Sequence, residues 1–333
     1  MFDKYLLTGA SGFLGRAVLA ELNKKDAEVR ALVTENDPLA KDLPHWVSVF
    51  RGDVCDFASM EPFFSGADEK TCVIHCAGIV SVASRPESQL YRVNVGGTNN
   101  VLRHCKKAGV GKLVYVSSVH ALPEKPKGTV ITEDAVFSPN TVRGHYAKSK
   151  AIATAHVYEA AGSGLNVNTV FPSGIIGPGD TGTGSITAML LSFLSGKLFV
   201  SVRGGYDFVD VRDVASGILS CTEHGRPGCG YILSGHYASL REILQAVKEL
   251  SGMKRTVFFL PLPFAKLVAP ICEKSCLRKK RPLYFTPSSV AVLGSNGQFS
   301  RAAAAADLGY APRSLQSSLK DAVLWLKNTP STS

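Results

Sequence analysis

The sequence predicts a doubly wound α/β fold, a parallel sheet with helices on both faces, carrying a smaller substrate-binding part on its C-terminal side. Three observations lead there. Short apolar runs alternate with amphipathic helical stretches through the first two-thirds of the chain. A glycine triplet links the first run to the first helix, and the alternation gives way to a different texture after Pro172.

The apolar runs Tyr5–Leu7, Val29–Val33, Val47–Phe50, Cys72–His75, Leu113–Ser117 and Val167–Phe171 are strand candidates. Too short for core helices and bounded by turn residues, they read as strands buried on both faces. Between them, Phe13–Leu22 places Leu14, Val18 and Leu22 on one helical face, and Gln89–Ala108 and His145–Ala161 are longer helices of the same kind. Gly174–Gly184, rich in glycine, reads as a loop. An apolar helix Ile186–Leu194, a strand near Tyr231–Leu233 and an amphipathic helix Leu240–Leu250 follow, and then the apolar, proline-broken stretch Met253–Ala291. This order predicts a nucleotide-binding part over 1–172 to which 205–235 returns. Segments 173–204 and 236–333 then form most of the substrate-binding part.

Of 333 residues, 45% are hydrophobic and 19% charged, which provides for a sizeable core and excludes a disordered chain. Lys and Arg number 37 against 27 Asp and Glu, a net charge of +10. Such an excess answers to nucleic acid, anionic lipid or an anionic cofactor. The cations are dispersed except for Lys274, Arg278, Lys279, Lys280 and Arg281, which read as a solvated face. Nucleic acid is therefore not expected, and a lipid-surface role for this cluster is the minority reading. The eight cysteines form no CxxC pair, and several sit in apolar runs as small hydrophobes. The chain enters a strand directly after Met-Phe-Asp-Lys, and its longest apolar stretch, Val257–Cys272, is interrupted by Lys266 and three prolines. Neither a signal peptide nor a bilayer span of about 18 residues is expected, so the chain is read as reduced and cytoplasmic.

Thr8-Gly9-Ala10-Ser11-Gly12-Phe13-Leu14-Gly15 lies between the first strand and the first helix. Glycines spaced three and three permit a tight turn and close backbone approach, presenting free amides and a helix N-terminus to a pyrophosphate. Glycine triplets also serve ordinary turns, and it is the strand-to-helix placement that selects the phosphate reading. Downstream, Tyr146 and Lys150 stand at i and i+4 on one helix face. A free phenol titrates near about 10, and a neighbouring ammonium favours its ionised form, which makes the pair a candidate proton donor and acceptor. YxxxK is common by chance, and only its combination with the glycine turn gives it weight.

The GxxGxxG turn resembles the cofactor turn of the short-chain dehydrogenase/reductase superfamily. Gly52-Asp53-Val54 after the third strand resembles its adenine-contacting motif, and His75-Cys76-Ala77-Gly78 resembles its segment beneath the cofactor. The resemblance spans nearly the whole chain: FPSGIIGP at 171–178, GYDFVDVRDVA at 205–215 and LGYAP at 308–312 are features of the extended branch, the NAD-dependent epimerases and dehydratases. Within that branch the chain looks closest to dihydroflavonol reductases and 3β-hydroxysteroid dehydrogenases. The resemblance implies catalytic positions at Ser118, Tyr146, Lys150 and Asn94, with Ser117 as the neighbouring serine candidate. It implies a dinucleotide held by Gly9, Ser11, Gly12, Phe13, Leu14, Gly15, Thr34, Asp53, Val54, Cys76, Ala77, Gly78, Tyr146 and Lys150, with Pro172, Gly174 and Ile175 bordering the nicotinamide. Substrate would meet Ser118, Tyr146 and His120, with His145 on the other flank.

At the end of the second strand Val33 and Thr34 supply neither the acid that reads NAD nor the arginine that reads NADP. Glu35 disfavours a phosphate, while Arg16 and the net positive charge welcome one. NADP(H) is favoured narrowly over NAD(H), and no metal is expected. The apolar side chains Phe258, Phe259, Leu260, Leu262, Phe264, Leu267 and Val268 would suit a flat hydrophobic ligand, or are ordinary core or lid. The expected reaction interconverts a secondary alcohol and a ketone on a hydroxysteroid- or dihydroflavonol-like ring. A sugar-nucleotide epimerase or dehydratase is the rival enzyme, and a dinucleotide sensor the rival outside catalysis. Relatives of this kind often dimerise through the two long helices, which makes a homodimer the expected assembly.

Overall fold

The computed structural model describes residues 2–180, 184–279 and 283–328. Lys280 and Arg281 of the basic cluster, and residues 181–183 of the glycine-rich segment, lie outside the described residues.

The first six apolar runs become β1 (Lys4–Thr8), β2 (Glu28–Val33), β3 (Ser48–Arg51), β4 (Thr71–His75), β5 (Lys112–Val116) and β6 (Val167–Pro172). They continue into β7 (Gly174–Ile176), β8 (Val200–Val202), β9 (Gly205–Asp210), β10 (Gly230–Leu233), β11 (His236–Ser239) and β12 (Phe258–Leu260). Seven of these form one sheet in the order β10-β6-β5-β4-β1-β2-β3, every pair parallel. The order reverses between β1 and β4, where a crevice opens at the carboxyl ends of the strands.

Alternation within the strands explains why both faces are covered. Tyr5 and Leu7 of β1, Cys72 and Ile74 of β4, and Val114 of β5 belong to one core with Val18 and Leu22 of helix Phe13–Leu22 and Val214 and Ile218 of helix Val211–His224. The intervening Leu6, Val73 and Leu113 enter a second core with Val101 of helix Thr98–Ala108 and Val157 of helix His145–Gly162. A strand apolar on both faces leaves no solvent face to choose, which is why those runs carry no polar alternation.

The stretch expected as a helix from Gln89 is one, but it is not uniform. Helix Ser88–Tyr91 passes through a π-helical turn, Arg92–Gly97, into Thr98–Ala108, closed by left-handed Gly109. π-turns of this kind are found frequently at functional sites.

The segment read as a loop from Gly174 begins instead with β7, which pairs parallel to β9, while β11 pairs antiparallel to β9. Gly174 is what lets the strand in: a Cβ there would stand 3.0 Å from the Asp207 carbonyl oxygen and 3.1 Å from the Tyr206 ring. Segment 205–235 thus divides, β9 joining this small sheet and β10 the large one. The proline-broken stretch holds β12, paired with β8, then helix Leu262–Arg278 with Pro270 inside it and helix Pro287–Gly294.

Candidate functional site

The switch point is the floor of a cavity of about 1420 Å³. Single small-molecule pockets usually run from about 300 to 1,000 Å³, so this one has room for a dinucleotide and a second ligand. Its walls include every residue expected to touch cofactor or substrate: Gly9, Ser11, Gly12, Phe13, Leu14 and Gly15 of the turn, Thr34, Asp53, Val54, Cys76–Gly78, Ser118, His120, Tyr146, Lys150, Pro172, Gly174 and Ile175. Asn94 stands behind the wall, buried.

The turn is built for close approach. Gly9 takes φ +70°, and a Cβ on it would lie 2.7 Å from the Ala77 amide nitrogen. A Cβ on Gly15 would lie 2.1 Å from the Gly9 carbonyl oxygen, so helix Phe13–Leu22 sits against the turn only because Gly15 has no side chain. The amides that open this helix face the cavity with no side-chain cap on Gly12. That arrangement fits a pyrophosphate.

Beneath it runs a chain of neutral polar groups. His75 is buried at the end of β4, its Nδ1 2.7 Å from Thr8 Oγ1 and its Nε2 3.0 Å from Thr98 Oγ1. Thr98 donates its hydroxyl proton to the Asn94 carbonyl oxygen, so Nε2–H of His75 donates to Thr98 and Nδ1 accepts from Thr8. Burial pushes His75 down to about 3, which keeps the ring neutral. Thr8 in turn accepts from the Ala77 amide at 3.2 Å, so the network pins the segment Cys76–Gly78.

Asn94 projects from the π-turn. Its side chain accepts from the Ile79 amide at 2.8 Å and donates to the Ile79 carbonyl at 2.9 Å and to Ser149 Oγ at 3.0 Å. One side chain therefore ties the loop after Gly78 to the helix that carries Tyr146 and Lys150.

Tyr146 and Lys150 lie on the cavity side of helix His145–Gly162. Lys150 Nζ donates to the Val116 carbonyl at 2.9 Å and sits 5.0 Å from the centroid of the Tyr115 ring. Burial lowers Lys150 to about 8, with Cys76 pulling weakly the other way. Burial also raises the Tyr146 phenol to about 12, against a lowering contribution from its hydrogen bond with Ser118. The help expected from Lys150 thus does not outweigh burial in the free protein. The two candidate serines differ in their partners: Ser117 Oγ is 2.7 Å from Thr154 Oγ1 in the core, whereas Ser118 meets Tyr146.

His120 lies between two tyrosines. It packs edge-on to Tyr146 with centroids 5.8 Å apart, and Tyr206 of β9 stacks on its other side. Burial lowers His120 to about 4, so the ring is neutral. His145 Nδ1 is 3.0 Å from Tyr91 Oη at the cavity edge.

Two groups at this site went unnoticed in the sequence. Asp37 lines the cavity beyond Thr34 and accepts a hydrogen bond from Ser11 of the glycine turn. Its signal was legible, an acid four residues past the end of β2. Tyr206 had no comparable signal, because β9 could not be registered against the site from sequence. The apolar group expected to face a ligand divides: Leu260 and Val268 line the cavity, while Phe258, Phe264 and Leu267 are exposed.

The profile of the NAD-dependent epimerase/dehydratase family matches residues 5–232. The chain is 32% identical to a putative dihydroflavonol 4-reductase of Synechocystis over 98% of its length and 96% of that protein. It is 29% identical to sterol demethylase protein B of Methylococcus capsulatus over 97% of its length and 98% of that protein. The crystal structure of gox2253 superposes with a TM-score of 0.86 at 28% identity, covering 99% of this chain and all of that one. Glycine turn, switch-point cavity, Tyr146–Lys150 helix and these likenesses lead to one assignment: the chain belongs to the NAD-dependent epimerase/dehydratase family, the extended short-chain dehydrogenases/reductases, and is an NAD(P)-dependent enzyme acting on CH–OH groups.

Proposed function

We propose that the protein interconverts a secondary alcohol and a ketone on a hydrophobic ring compound, of hydroxysteroid or dihydroflavonol type. The observation that carries this reading is the composition of the cavity beyond Tyr146. Met189, Leu198, Val202, Phe208, Leu260 and Phe285 are among the apolar side chains lining it, and the one arginine among the described lining residues is Arg143. Arg143 is 80% exposed and paired with Glu124 at 3.3 Å. A sugar nucleotide carries a diphosphate, and apart from Lys150 the described residues of this wall include no sheltered cation to receive it. An apolar ring is what such a lining accommodates.

Ser118 and Tyr146 hold the substrate oxygen, and Tyr146 passes the proton to or from it. Lys150 keeps positive charge beside the phenol and favours its ionised form during transfer. When bound, the nicotinamide supplies or takes up the hydride at the carbon that bears this oxygen. Asn94 and the Thr8–His75–Thr98 network act through position, holding the segment Cys76–Ile79 against the Tyr146–Lys150 helix. For the dinucleotide, the Asp37 carboxylate beside Ser11 supports ribose 2′-hydroxyl recognition and hence NAD(H). It stands against Arg16 and the net positive charge, from which the narrow preference for NADP(H) is drawn.

The test is oxidation of NADH or NADPH, followed by absorbance, with a panel of ketosteroids and dihydroflavonols, for the wild type and Tyr146→Phe. Ketone-dependent oxidation that falls by about 10²–10⁴-fold in Tyr146→Phe, with dinucleotide binding kept, is the expected result. Bound dinucleotide with no net turnover on any ketone, and conversion of a sugar nucleotide instead, would replace this reading with an epimerase.

A further inference from the structure

We propose that helix Leu262–Arg278 docks the protein on an anionic lipid surface. Its inward side is made by Ala265, Ala269 and Glu273, all buried, spaced four residues apart. Ala265 and Ala269 pack with Val202 and Val290. Phe264, Leu267 and Ile271 fall on the opposite side and are 64%, 74% and 67% exposed. Spacing i, i+3, i+7 makes them one stripe two turns long, and Val268 at i+4 completes it. Scattered exposed apolar residues need no explanation, but an ordered stripe of large ones does.

Charge decides what covers it. Lys266, Lys274, Arg278 and Lys279 are exposed on this helix and at its end, and none forms an ion pair among the described residues. The helix's one acid, Glu273, is turned inward and accepts from the Ser84 amide at 2.8 Å. An apolar stripe flanked by cations with no outward acid matches an interfacial helix lying in an anionic headgroup layer. A second copy, itself at +10, is on balance repelled by these cations. Location agrees: Val268 and Cys272 of this helix also line the catalytic cavity, so the docked face adjoins the route by which a lipophilic ligand would enter. The docking surface stands apart from the proposed reaction, since lipid binding is measured without turnover.

The experiment is co-sedimentation of the full chain with vesicles of phosphatidylcholine alone or mixed with phosphatidylserine. Binding to the mixed vesicles is expected, about fivefold weaker for each cation removed in Lys274→Gln/Arg278→Gln and weakened by salt. Leu267→Ser/Ile271→Ser should lose at least about tenfold, with dinucleotide binding unchanged as evidence of folding. No binding by the wild type, or binding as tight as the wild type's by both double variants, overturns the proposal. So does a dimer of the wild type that Leu267→Ser/Ile271→Ser dissolves while vesicles bind neither form, which would assign the stripe to a second copy.

Discussion

Tyr206 lies parallel to His120, the rings inclined by 8° with centroids 5.4 Å apart and the phenol oxygen 3.0 Å from Nε2. Burial keeps both neutral, raising the phenol well above its ordinary range and lowering the imidazole to about 4. His120 in turn packs against Tyr146. A residue of the small sheet thus sets the orientation of a ring that borders the proposed proton-transfer centre.

From this follows the first prediction. Tyr206→Phe keeps the stacked ring and removes one hydrogen bond, a loss of about 0.5–1.5 kcal/mol. KM for the ring substrate should rise by roughly two- to tenfold, with dinucleotide affinity unchanged. Steady-state kinetics of the variant read both. An altered dinucleotide Kd with unaltered substrate KM would place Tyr206 outside the substrate region.

Asn94 is a positioning residue with a distinct signature. Asn94→Ala strands the part-buried Ile79 amide and carbonyl and frees Ser149, which should destabilise the fold by about 1–3 kcal/mol. A purely structural role would move Tm alone. Because the loop it holds adjoins Gly78, whose Cα faces Lys150 Nζ closely enough that a Cβ would come within 3.4 Å, the KM for dinucleotide should also rise several-fold. Unchanged dinucleotide kinetics in a folded variant would limit Asn94 to stability.

On the proposed reading, Asp37 carries the dinucleotide preference. Its carboxylate repels a 2′-phosphate and accepts from a 2′-hydroxyl. Asp37→Asn should raise the ratio of kcat/KM for NADPH over NADH by about tenfold, the size expected from removing one close like charge of about 1.4 kcal/mol. A constant ratio would assign selection elsewhere on the β2 edge.

The large sheet was legible because its inner strands, buried on both faces, write themselves as unbroken apolar runs, and β1 to β6 appear within a residue or two of their expected places. The glycine turn was legible because Gly9, Gly12 and Gly15 are local in sequence. Legibility ended where pairing is not local. Gly174–Ile176 is three residues long and becomes a strand only because β9, some 30 residues on, pairs with it. For the same reason Tyr206 could not be placed beside His120. The outward turn of Phe264 and Leu267 was hidden too, since an apolar stripe has the same spacing whether it meets a ligand, a core or a membrane.

Lys150 offers the prediction with a worked sign. Burial lowers it from 10.5 to about 8, so between those values the unfolded chain holds a proton that the folded chain does not. Stability contributed by this group therefore rises with pH across that window. Below pH 8 both states are protonated, and the folded state bears the full cost of a buried charge, about 3 kcal/mol at 1.36 per pH unit. Lys150→Met has no proton to lose. It strands the Val116 carbonyl, but that penalty is the same at every pH. The stability difference between wild type and Lys150→Met should then move toward the wild type by about 3 kcal/mol between pH 7 and 11, while the variant loses turnover throughout. Urea unfolding of both proteins across that range measures it, the other titrations cancelling in the difference. A flat difference would mean that Lys150 keeps its ordinary proton affinity, and the charge it lends Tyr146 would then persist well above pH 8.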